Sequence, residues 1–250
     1  MLLVHWLLAL CASAAEEDRW WETNYKTITT IECMTTAAPM PFAIEVRHEW
    51  APLGADRFVA MIASGLMTDL ALFRVDKDFI VQTGMCGATA PGVCAQWAEL
   101  FPEFPDDRPH PRLPFKDGMV SFAGGGDDSR ATDFFIAYAD SEFLGGSPWE
   151  TPFGVVVGGM GEVVRGFYDG YGEMQPFNPA GVNQDLINEE GNAYLRREFP
   201  KLDYIKSCAI VGAPRRPVQR GSATGAMRTH SSEHPRCFIE AGVHSISNDA

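Results

Sequence analysis

The chain has 250 residues, of which 46% are hydrophobic and 11% aromatic, and it carries a formal net charge of −13 at pH 7. This length and composition predict a single globular domain with a substantial core. The negative charge argues against nucleic acid or an anionic membrane as the main partner, because both would require a basic surface.

The N-terminus opens with an apolar run from Leu2 to Leu10, followed by the small residues of the stretch Ala12-Ser13-Ala14. The run is shorter than the roughly 20 residues that a membrane-spanning helix needs, and its small-residue ending is typical of a cleaved secretory signal. We therefore predict a signal peptide at residues 1–15 and a mature protein outside the membrane, in the secretory pathway, an endomembrane lumen or the extracellular space. The alternative is a buried first strand or helix.

Loss of the signal would leave five cysteines in an oxidising compartment, where disulfides are expected. Cys86 and Cys94 bracket a Gly/Pro-rich loop that a short bridge could pin. Cys33 and Cys208 end two β-branched stretches that could be paired terminal strands, and Cys237 is left over. Zinc is the competing interpretation, but the sequence has no Cys-x-x-Cys spacing to support it.

Short apolar segments separated by dense turn signals predict a mainly β domain. The predicted strands, in chain order, are Thr27–Cys33, Pro41–Val46, two short strands around the turn Asp76–Asp78, Met119–Gly124, Asp133–Ala139, Pro152–Gly159 and Tyr204–Val211. One helix is predicted to start after Gly54 and a second, amphipathic helix to cover Met160–Gly172, while residues 85–118 read as a long proline-rich loop. Because strands and helices do not alternate, this order favours an antiparallel barrel capped by two helices.

Residues 213–250 differ in composition from the rest of the chain. They contain five arginines and three acidic residues, with few apolar residues that could pack. We predict that this segment is a disordered tail, which leaves residues 16–212 as the folded domain.

Several segments carry a resemblance to a known family. FRVDKDFIVQTG (Phe73–Gly84), MVSFAGGGDDSRATDFFIAYAD, SEFLGG and TPFGVVVGGMGEV follow one another as the corresponding segments do in cyclophilin-type peptidyl-prolyl isomerases. The chain resembles this family from about Thr27 to Val211, and its GNAYLRREFPKLDYIKSC stretch is similar to the secreted or organellar branch. The resemblance implies a closed eight-stranded cyclophilin-like barrel, capped by two helices, with a shallow peptide groove on its outer face.

The chemistry of this family explains why an arginine lies in an apolar strand. Rotation about a peptide bond must cross a barrier of about 18–20 kcal/mol because resonance stiffens the C–N bond. A donor aimed at the imide nitrogen favours the twisted state, and arginine is suited to this because it is always charged and its donors form a rigid fork. The resemblance implies that Arg74 is the catalytic donor and that Gln82 helps to hold it. Read alone, Arg74 would be an ordinary arginine paired with Asp76 or Asp78.

The same resemblance assigns the substrate-binding residues. The walls that grip the proline ring are Phe79, Ile80, Phe135 and Leu144, and the backbone at Ala123 and Gly124 would bind the peptide as an edge strand does. Seen without the resemblance, such apolar residues at strand spacing would be core.

Three departures from the family pattern affect this groove. Asp133 replaces a glutamine, and its carboxylate could pair with Arg74. Phe143 replaces a tryptophan at the rim, which keeps apolar area but loses a donor. The loop GGSPWETPFG is longer than usual, so that either Trp149 or Glu150 takes the place of the family's histidine.

These observations predict a monomeric, cofactor-free peptidyl-prolyl cis-trans isomerase that assists the folding of secretory-pathway or extracellular proteins. Its partners would be proline-containing polypeptide clients. The alternative is a catalytically weak cyclophilin-like module that binds proline-containing peptides. A third hypothesis, an acid-cluster hydrolase at Asp127 and Asp128, rests on composition alone.

Overall fold

The computed structural model describes residues 27–90, 92–108 and 113–211. The predicted signal peptide at residues 1–15, the predicted tail at residues 213–250 and Cys237 lie outside the described residues. The predicted domain at residues 16–212 is therefore described over most of its length.

In the described part of the chain, nine strands form one antiparallel sheet. They are β1 (Ile28–Thr35), β2 (Phe42–Arg47), β3 (Leu70–Ala71), β4 (Arg74–Val75), β5 (Ile80–Thr83), β6 (Met119–Phe122), β7 (Phe134–Ala137), β8 (Gly154–Gly158) and β9 (Tyr204–Ile210). The hydrogen-bonded order across the sheet is β3-β9-β1-β2-β8-β6-β7-β5-β4. Each strand predicted from the sequence overlaps one of these nine, and β3 is the strand that the sequence did not predict.

The predicted closed eight-stranded barrel is wrong. Within the described residues the sheet is an open, curled half-barrel of nine strands, because β3 and β4 end the sheet without pairing with each other. Only Leu72 and Phe73 separate these two strands in the chain, and both residues are buried. The backbone here bonds elsewhere: Leu72 N–H donates to the Asp203 carbonyl at 2.9 Å and Val75 N–H to the Gly172 carbonyl at 3.3 Å.

Within the described residues, four α-helices accompany the sheet, where two were predicted: α1 (Pro52–Ala63), α2 (Val93–Leu100), α3 (Gln184–Glu190) and α4 (Asn192–Glu198). The predicted first helix corresponds to α1, but α1 begins at Pro52 rather than after Gly54. The predicted helix over Met160–Gly172 is wrong, since this segment holds only a short 3-10 helix at Val164–Gly166. Its glycines weaken a helix, and Gly172 adopts a φ of 61°.

The main core lies between α1 and the inner face of the sheet. The Phe58 ring of α1 lies 5.0 Å from the Phe134 ring and 4.8 Å from the Phe153 ring, measured between centroids. Because side chains alternate along a strand, Phe134 and Ile136 of β7 face this core while Phe135 joins a second apolar cluster. That second cluster is the one that carries the candidate site.

The start of α1 has no side-chain cap of its own and is held by a buried ion network. Asp107 accepts hydrogen bonds from Leu53 N–H at 2.9 Å and Gly54 N–H at 2.8 Å, which are unsatisfied donors of the first turn. Arg130, with no exposed surface, donates from Nη1 to Asp107 at 3.0 Å and places Nε 3.1 Å from Asp106. Asp107, which is remote in sequence, therefore accepts the hydrogen bonds that an N-cap side chain normally accepts.

Both disulfides suggested by the cysteine positions are present. Cys33 and Cys208 face each other in the register of β1 and β9 and are bonded, so the two terminal strands are cross-linked. Cys86 and Cys94 are bonded across a separation of 8 residues and pin the loop before α2.

Candidate functional site

Arg74 and Gln82 face each other across a hairpin. The antiparallel pairing of β4 with β5 sets Arg74 opposite Gln82, and Arg74 Nη1 donates to Gln82 Oε1 at 3.1 Å. Gln82 is buried and the Arg74 side chain keeps 12% of its surface exposed. The strand pairing thus brings together the two residues predicted to be catalytic.

A third residue, Glu173, also binds Arg74, although no sequence motif pointed to it. Arg74 Nη2 donates to Glu173 Oε1 at 2.9 Å, and Arg74 Nε lies 2.8 Å from Glu173 Oε2. The guanidinium carbon is also 5.3 Å from the Phe79 ring centre and 5.6 Å from the Phe177 ring centre. No local pattern could have revealed the pair, because 99 residues separate Glu173 from Arg74.

Asp133 does not supply this carboxylate. Among the described residues, the side-chain contacts of Asp133 are with Thr132 and with Gln184, whose Nε2 lies 3.5 Å from Asp133 Oδ2. A carboxylate does neutralise Arg74, as the sequence analysis considered, but it comes from Glu173.

The predicted proline-binding residues gather in one apolar cluster on the outer side of the sheet. Its buried members are Trp50, Ile80, Phe115, Met119, Phe135, Ala137 and Leu144, and Phe79 and Ala123 pack against it. The Phe135 ring stacks on Phe115 with 5.5 Å between centroids and an angle of 18° between the ring planes. The cluster therefore includes all four predicted wall residues, although Ile80, Phe135 and Leu144 are buried by their neighbours.

An open cleft of about 960 Å³ adjoins this cluster. Phe79, Leu144 and Phe143 line it, and Phe143 is 89% exposed at its rim. The cleft also carries Asp140 and Lys116, which are paired at 2.8 Å. Arg74 and Gln82 do not line this cleft, so the opening lies beside the arginine rather than above it.

Trp149 packs on Gly124, which explains why the chain has glycine there. A Cβ built at Gly124 would lie 2.8 Å from Trp149 Cβ and 3.0 Å from Ser129 Oγ, closer than side chains normally approach. Glu150 instead accepts a hydrogen bond from Gly145 N–H at 3.3 Å. Of the two replacements considered for the family's histidine, Trp149 is thus the one that packs against the predicted peptide-binding backbone. Ala123 N–H is already used, donating to the Asp133 carbonyl at 2.8 Å.

This packing predicts a cost for placing any larger side chain at position 124. Gly124→Asn should lower the free energy of unfolding by about 1–3 kcal/mol, as overpacked sites do, when measured by chemical denaturation. In a Trp149→Gly background most of this cost should disappear, which a double-mutant cycle would detect. Gly125→Ala is the matched control, because a Cβ there would meet nothing within 4 Å. An equal cost in both backgrounds would show that Trp149 is not the obstacle.

Asp133 lies in a desolvated place next to the hairpin. Burial raises its pKa to about 7, while a hydrogen bond with Thr132 acts in the opposite direction. Its surroundings include the Trp97 ring and the Cys86–Cys94 disulfide, which line a neighbouring pocket of about 260 Å³. The carboxyl therefore titrates near neutral pH instead of remaining fully ionised there.

The raised pKa of Asp133 predicts a pH-dependent stability. Below about pH 3 the carboxyl is protonated in both the folded and the unfolded state and contributes nothing. Between the ordinary pKa of 3.8 and the folded value of about 7, only the unfolded state ionises, so stability falls as the pH rises. Asp133→Asn should therefore raise the Tm at pH 8 by roughly 2–4 °C for each kcal/mol recovered and have a much smaller effect at pH 4.

Asp140→Asn provides a control of opposite sign. Its pKa is lowered by a hydrogen bond from Lys116, so the pairing stabilises the fold above the ordinary pKa, and its loss should lower the Tm at pH 8. A Tm difference for Asp133→Asn that is the same at pH 4 and pH 8 would contradict the assignment.

Metal and membrane signals are weak within the part of the chain that the structure describes. No group of three or more His, Cys, Asp and Glu residues is arranged to hold a metal ion there. None of the described helices combines the length and apolar character needed to cross a bilayer. Asp128 is engaged in a turn, where its carboxylate accepts from Asp106 N–H at 2.8 Å.

Comparisons with known proteins agree on one family. A family model, "Cyclophilin type peptidyl-prolyl cis-trans isomerase/CLD", matches residues 31–176. The protein "Peptidyl-prolyl cis-trans isomerase-like 1" of Aspergillus fumigatus is 29% identical over 153 residues, which are 60% of this chain and 91% of that protein. The protein of the same name from Homo sapiens is 29% identical over 123 residues, covering 49% of this chain and 70% of its own.

Two solved structures show a more distant similarity. A cyclophilin-type peptidyl-prolyl cis-trans isomerase of Cryptosporidium parvum is 18% identical and covers 75% of this chain and 99% of its own, with a TM-score of 0.46. A second structure of that protein, in the presence of the dipeptide Ala-Pro, is 17% identical, covers 74% of this chain and 99% of its own, and has the same TM-score of 0.46.

Proposed function

The chain belongs to the cyclophilin-type peptidyl-prolyl cis-trans isomerase family, and from this premise we propose that it is a peptidyl-prolyl isomerase with Arg74 as its catalytic donor. The observation that carries the proposal is the contact between Arg74 Nη1 and Gln82 Oε1 at 3.1 Å, next to the apolar cluster that holds Phe135 and Leu144. A donor beside an apolar surface is what rotation of a prolyl bond requires.

The proposed mechanism uses no covalent step. The proline ring of the client packs against the outer apolar cluster near Phe79, and the guanidinium donates a hydrogen bond to the imide nitrogen. As the bond twists, the nitrogen loses conjugation and becomes a better acceptor, so the contact strengthens in the transition state. Because Arg74 is only 12% exposed, water competes weakly for its donors.

The proposed clients are proline-containing polypeptides of the secretory pathway or the extracellular space, and the chain is proposed to act on them as a monomer. Two disulfides support this location, because such bonds persist in oxidising compartments. The expected targets are client chains whose folding is limited by prolyl cis-trans isomerisation, which takes about 10–100 s at 25 °C without a catalyst.

A prolyl exchange assay tests the proposal. Nuclear magnetic resonance exchange spectroscopy on a short peptide with one Ala-Pro bond should show cis-trans exchange that is faster by at least about 100-fold when the purified full chain is added, against the slow uncatalysed rate. Exchange that stays at the uncatalysed rate over a wide range of protein concentrations would overturn the isomerase proposal.

A second candidate function is a catalytically weak module that binds proline-containing peptides. Two observations favour it: Glu173 neutralises Arg74, and the wall residues Phe135 and Leu144 are already buried by their neighbours. The same spectra decide between the two functions. Chemical-shift changes on the peptide without faster exchange would support the binding module, and Asp133→Gln should then leave the rate unchanged, since Asp133 does not contact Arg74.

A further inference from the structure

We propose that Glu173 is a positioning residue for the isomerase reaction, fixing the Arg74 guanidinium from one side so that its remaining donors are presented to the client. This inference rests on the proposed function, and it adds a residue that neither the sequence motifs nor the family resemblance assigned. Glu173 acts through Arg74 and is not itself required to touch the client.

We call the contact between the Glu173 carboxylate and the Arg74 guanidinium the clamp, and its geometry follows from the planar shapes of these two groups. The carboxylate meets the side of the guanidinium, with Oε1 2.9 Å from Nη2 and Oε2 2.8 Å from Nε. Gln82 Oε1 accepts from Nη1 at 3.1 Å. A guanidinium has five N–H donors. One on Nη1 and one on Nη2 are hydrogen-bonded to these two partners, the Nε–H is buried at ion-pair distance from Oε2, and two donors are left, one on each terminal nitrogen. Among the described residues, no further acceptor is recorded for those two donors.

Two rings hold the guanidinium plane in addition. The Phe79 ring and the Phe177 ring lie 5.3 Å and 5.6 Å from the Arg74 guanidinium carbon. Contacts of this kind restrict motion perpendicular to the plane, while Glu173 and Gln82 restrict rotation within it. Together these four contacts hold the Arg74 guanidinium in one orientation. Such fixed orientation is needed when a donor must bond to a nitrogen lone pair that is available only in the transition state.

Glu173 can act as a clamp because its own backbone is tied to the strand that it serves. The preceding residue, Gly172, accepts a hydrogen bond from Val75 N–H, directly after Arg74 in the chain. Further along, Gln175 N–H donates to the Val182 carbonyl at 2.9 Å. Gly181 lies against Glu173 so closely that a Cβ there would be 2.0 Å from the Glu173 carbonyl oxygen. Backbone contacts thus join residues 172–182 to one another and to β4, and they hold the Glu173 carboxylate beside Arg74.

The clamp separates orientation from charge. A carboxylate on the guanidinium offsets much of its positive potential, so the proposed catalysis depends on aimed N–H donors more than on net charge. An aimed donor that loses its support costs rate even when it stays charged, and small misplacements can cost up to about 10²-fold. Removing Glu173 should therefore slow the reaction, although it unmasks a full positive charge.

The test compares Glu173→Ala and Glu173→Gln in the full chain, using exchange spectroscopy on the Ala-Pro peptide. We expect the exchange rate of the bound peptide to fall by about 10-fold in Glu173→Ala and by about 3-fold in Glu173→Gln, because glutamine keeps one acceptor. Peptide affinity should change by less than about 2-fold, since the apolar cluster is untouched. A purely structural role would lower affinity and rate together, so this split is diagnostic. Glu190→Ala, which breaks an exposed pair with Arg197, is the matched control.

A second readout does not depend on activity. Because Arg74 Nε is buried and lies 2.8 Å from Glu173 Oε2, hydrogen exchange of its N–H should be slower in the wild type than in Glu173→Ala. An active wild type whose rate is unchanged or raised in Glu173→Ala would overturn the positioning role and leave the isomerase proposal standing. A wild type without activity, despite a protected Nε–H, would instead overturn the proposed function, and the positioning role with it.

Discussion

Replacing Arg74 by alanine is expected to lower kcat/KM for prolyl isomerisation by about 10²–10³-fold, the range seen when a transition-state donor is removed from an enzyme. The expected loss is large because Arg74 is the donor that the proposed mechanism aims at the imide nitrogen. Peptide affinity should change much less, because the apolar cluster around Phe135 and Leu144 remains. Exchange spectroscopy with the Ala-Pro peptide gives both quantities from one sample.

Arg74→Lys separates the charge of the residue from its shape. Lysine keeps the positive charge, but it cannot contact both oxygens of Glu173 and Gln82 in the same way, because its donors radiate from one atom. We expect this variant to lose nearly as much activity as alanine. Arg197→Ala removes an exposed arginine on α4 and is the matched control. Full activity in Arg74→Ala, with the Arg197→Ala control also active, would refute the assigned role of Arg74.

The part of the site that the sequence predicted is the part made by local pairing. Arg74 and Gln82 are eight residues apart and a tight turn joins their strands, so hairpin register alone sets them opposite each other. Likewise, alternation along β7 sends Phe135 to the outer cluster and Phe134 to the inner core. Such short-range rules hold wherever a strand has two different faces.

The parts that the sequence missed depend on distant contacts. Glu173 meets Arg74 across 99 residues, and nothing in its own neighbourhood distinguishes it from an exposed glutamate. The open end of the sheet has a similar origin. The backbone N–H groups of Leu72 and Val75 donate to the carbonyls of Asp203 and Gly172, far along the chain. No local sequence pattern shows that these hydrogen bonds are more stable than the strand pairing that would close the barrel.

The helix errors have a local cause. Residues 160–172 show apolar spacing that fits a helix, since Val163, Val164 and Phe167 are all buried, but the intervening glycines favour turns. Helix α2 was missed for the opposite reason. It follows Gly92, whose φ is 81°, has no side-chain cap and lies within a proline-rich stretch, so the usual start signals are absent.

Arg130→Met is expected to lower the free energy of unfolding by about 3–5 kcal/mol, as breaking a buried ion pair does. Arg130 has no exposed surface, with Nε 3.1 Å from Asp106 and Nη1 3.0 Å from Asp107. It also donates to the Pro105 carbonyl and lies 4.3 Å from the Phe104 ring centre. Methionine fills part of the volume, so the loss reports mainly on the two carboxylates that are left without their cation.

The cost should extend beyond the ion pair, because Asp107 also caps α1 through Leu53 N–H and Gly54 N–H. Without Arg130, Asp107 would be a buried carboxylate with no cation beside it, and its movement towards water would weaken the cap. Loss of a cap costs about 0.5–2 kcal/mol. Hydrogen exchange should therefore show the first turn of α1 opening more often in Arg130→Met than in the wild type.

Chemical denaturation measures the expected loss, and two further variants identify its origin. Arg165→Met breaks an exposed pair with Asp117 and should cost about 0–1 kcal/mol. Adding Asp106→Asn and Asp107→Asn to Arg130→Met removes the unpaired charges and should restore part of the lost stability, because the penalty comes from stranded carboxylates and not from the missing arginine alone. If Arg130→Met is no less stable than Arg165→Met, the buried network does not hold the start of α1, and the helix must begin at Pro52 for another reason.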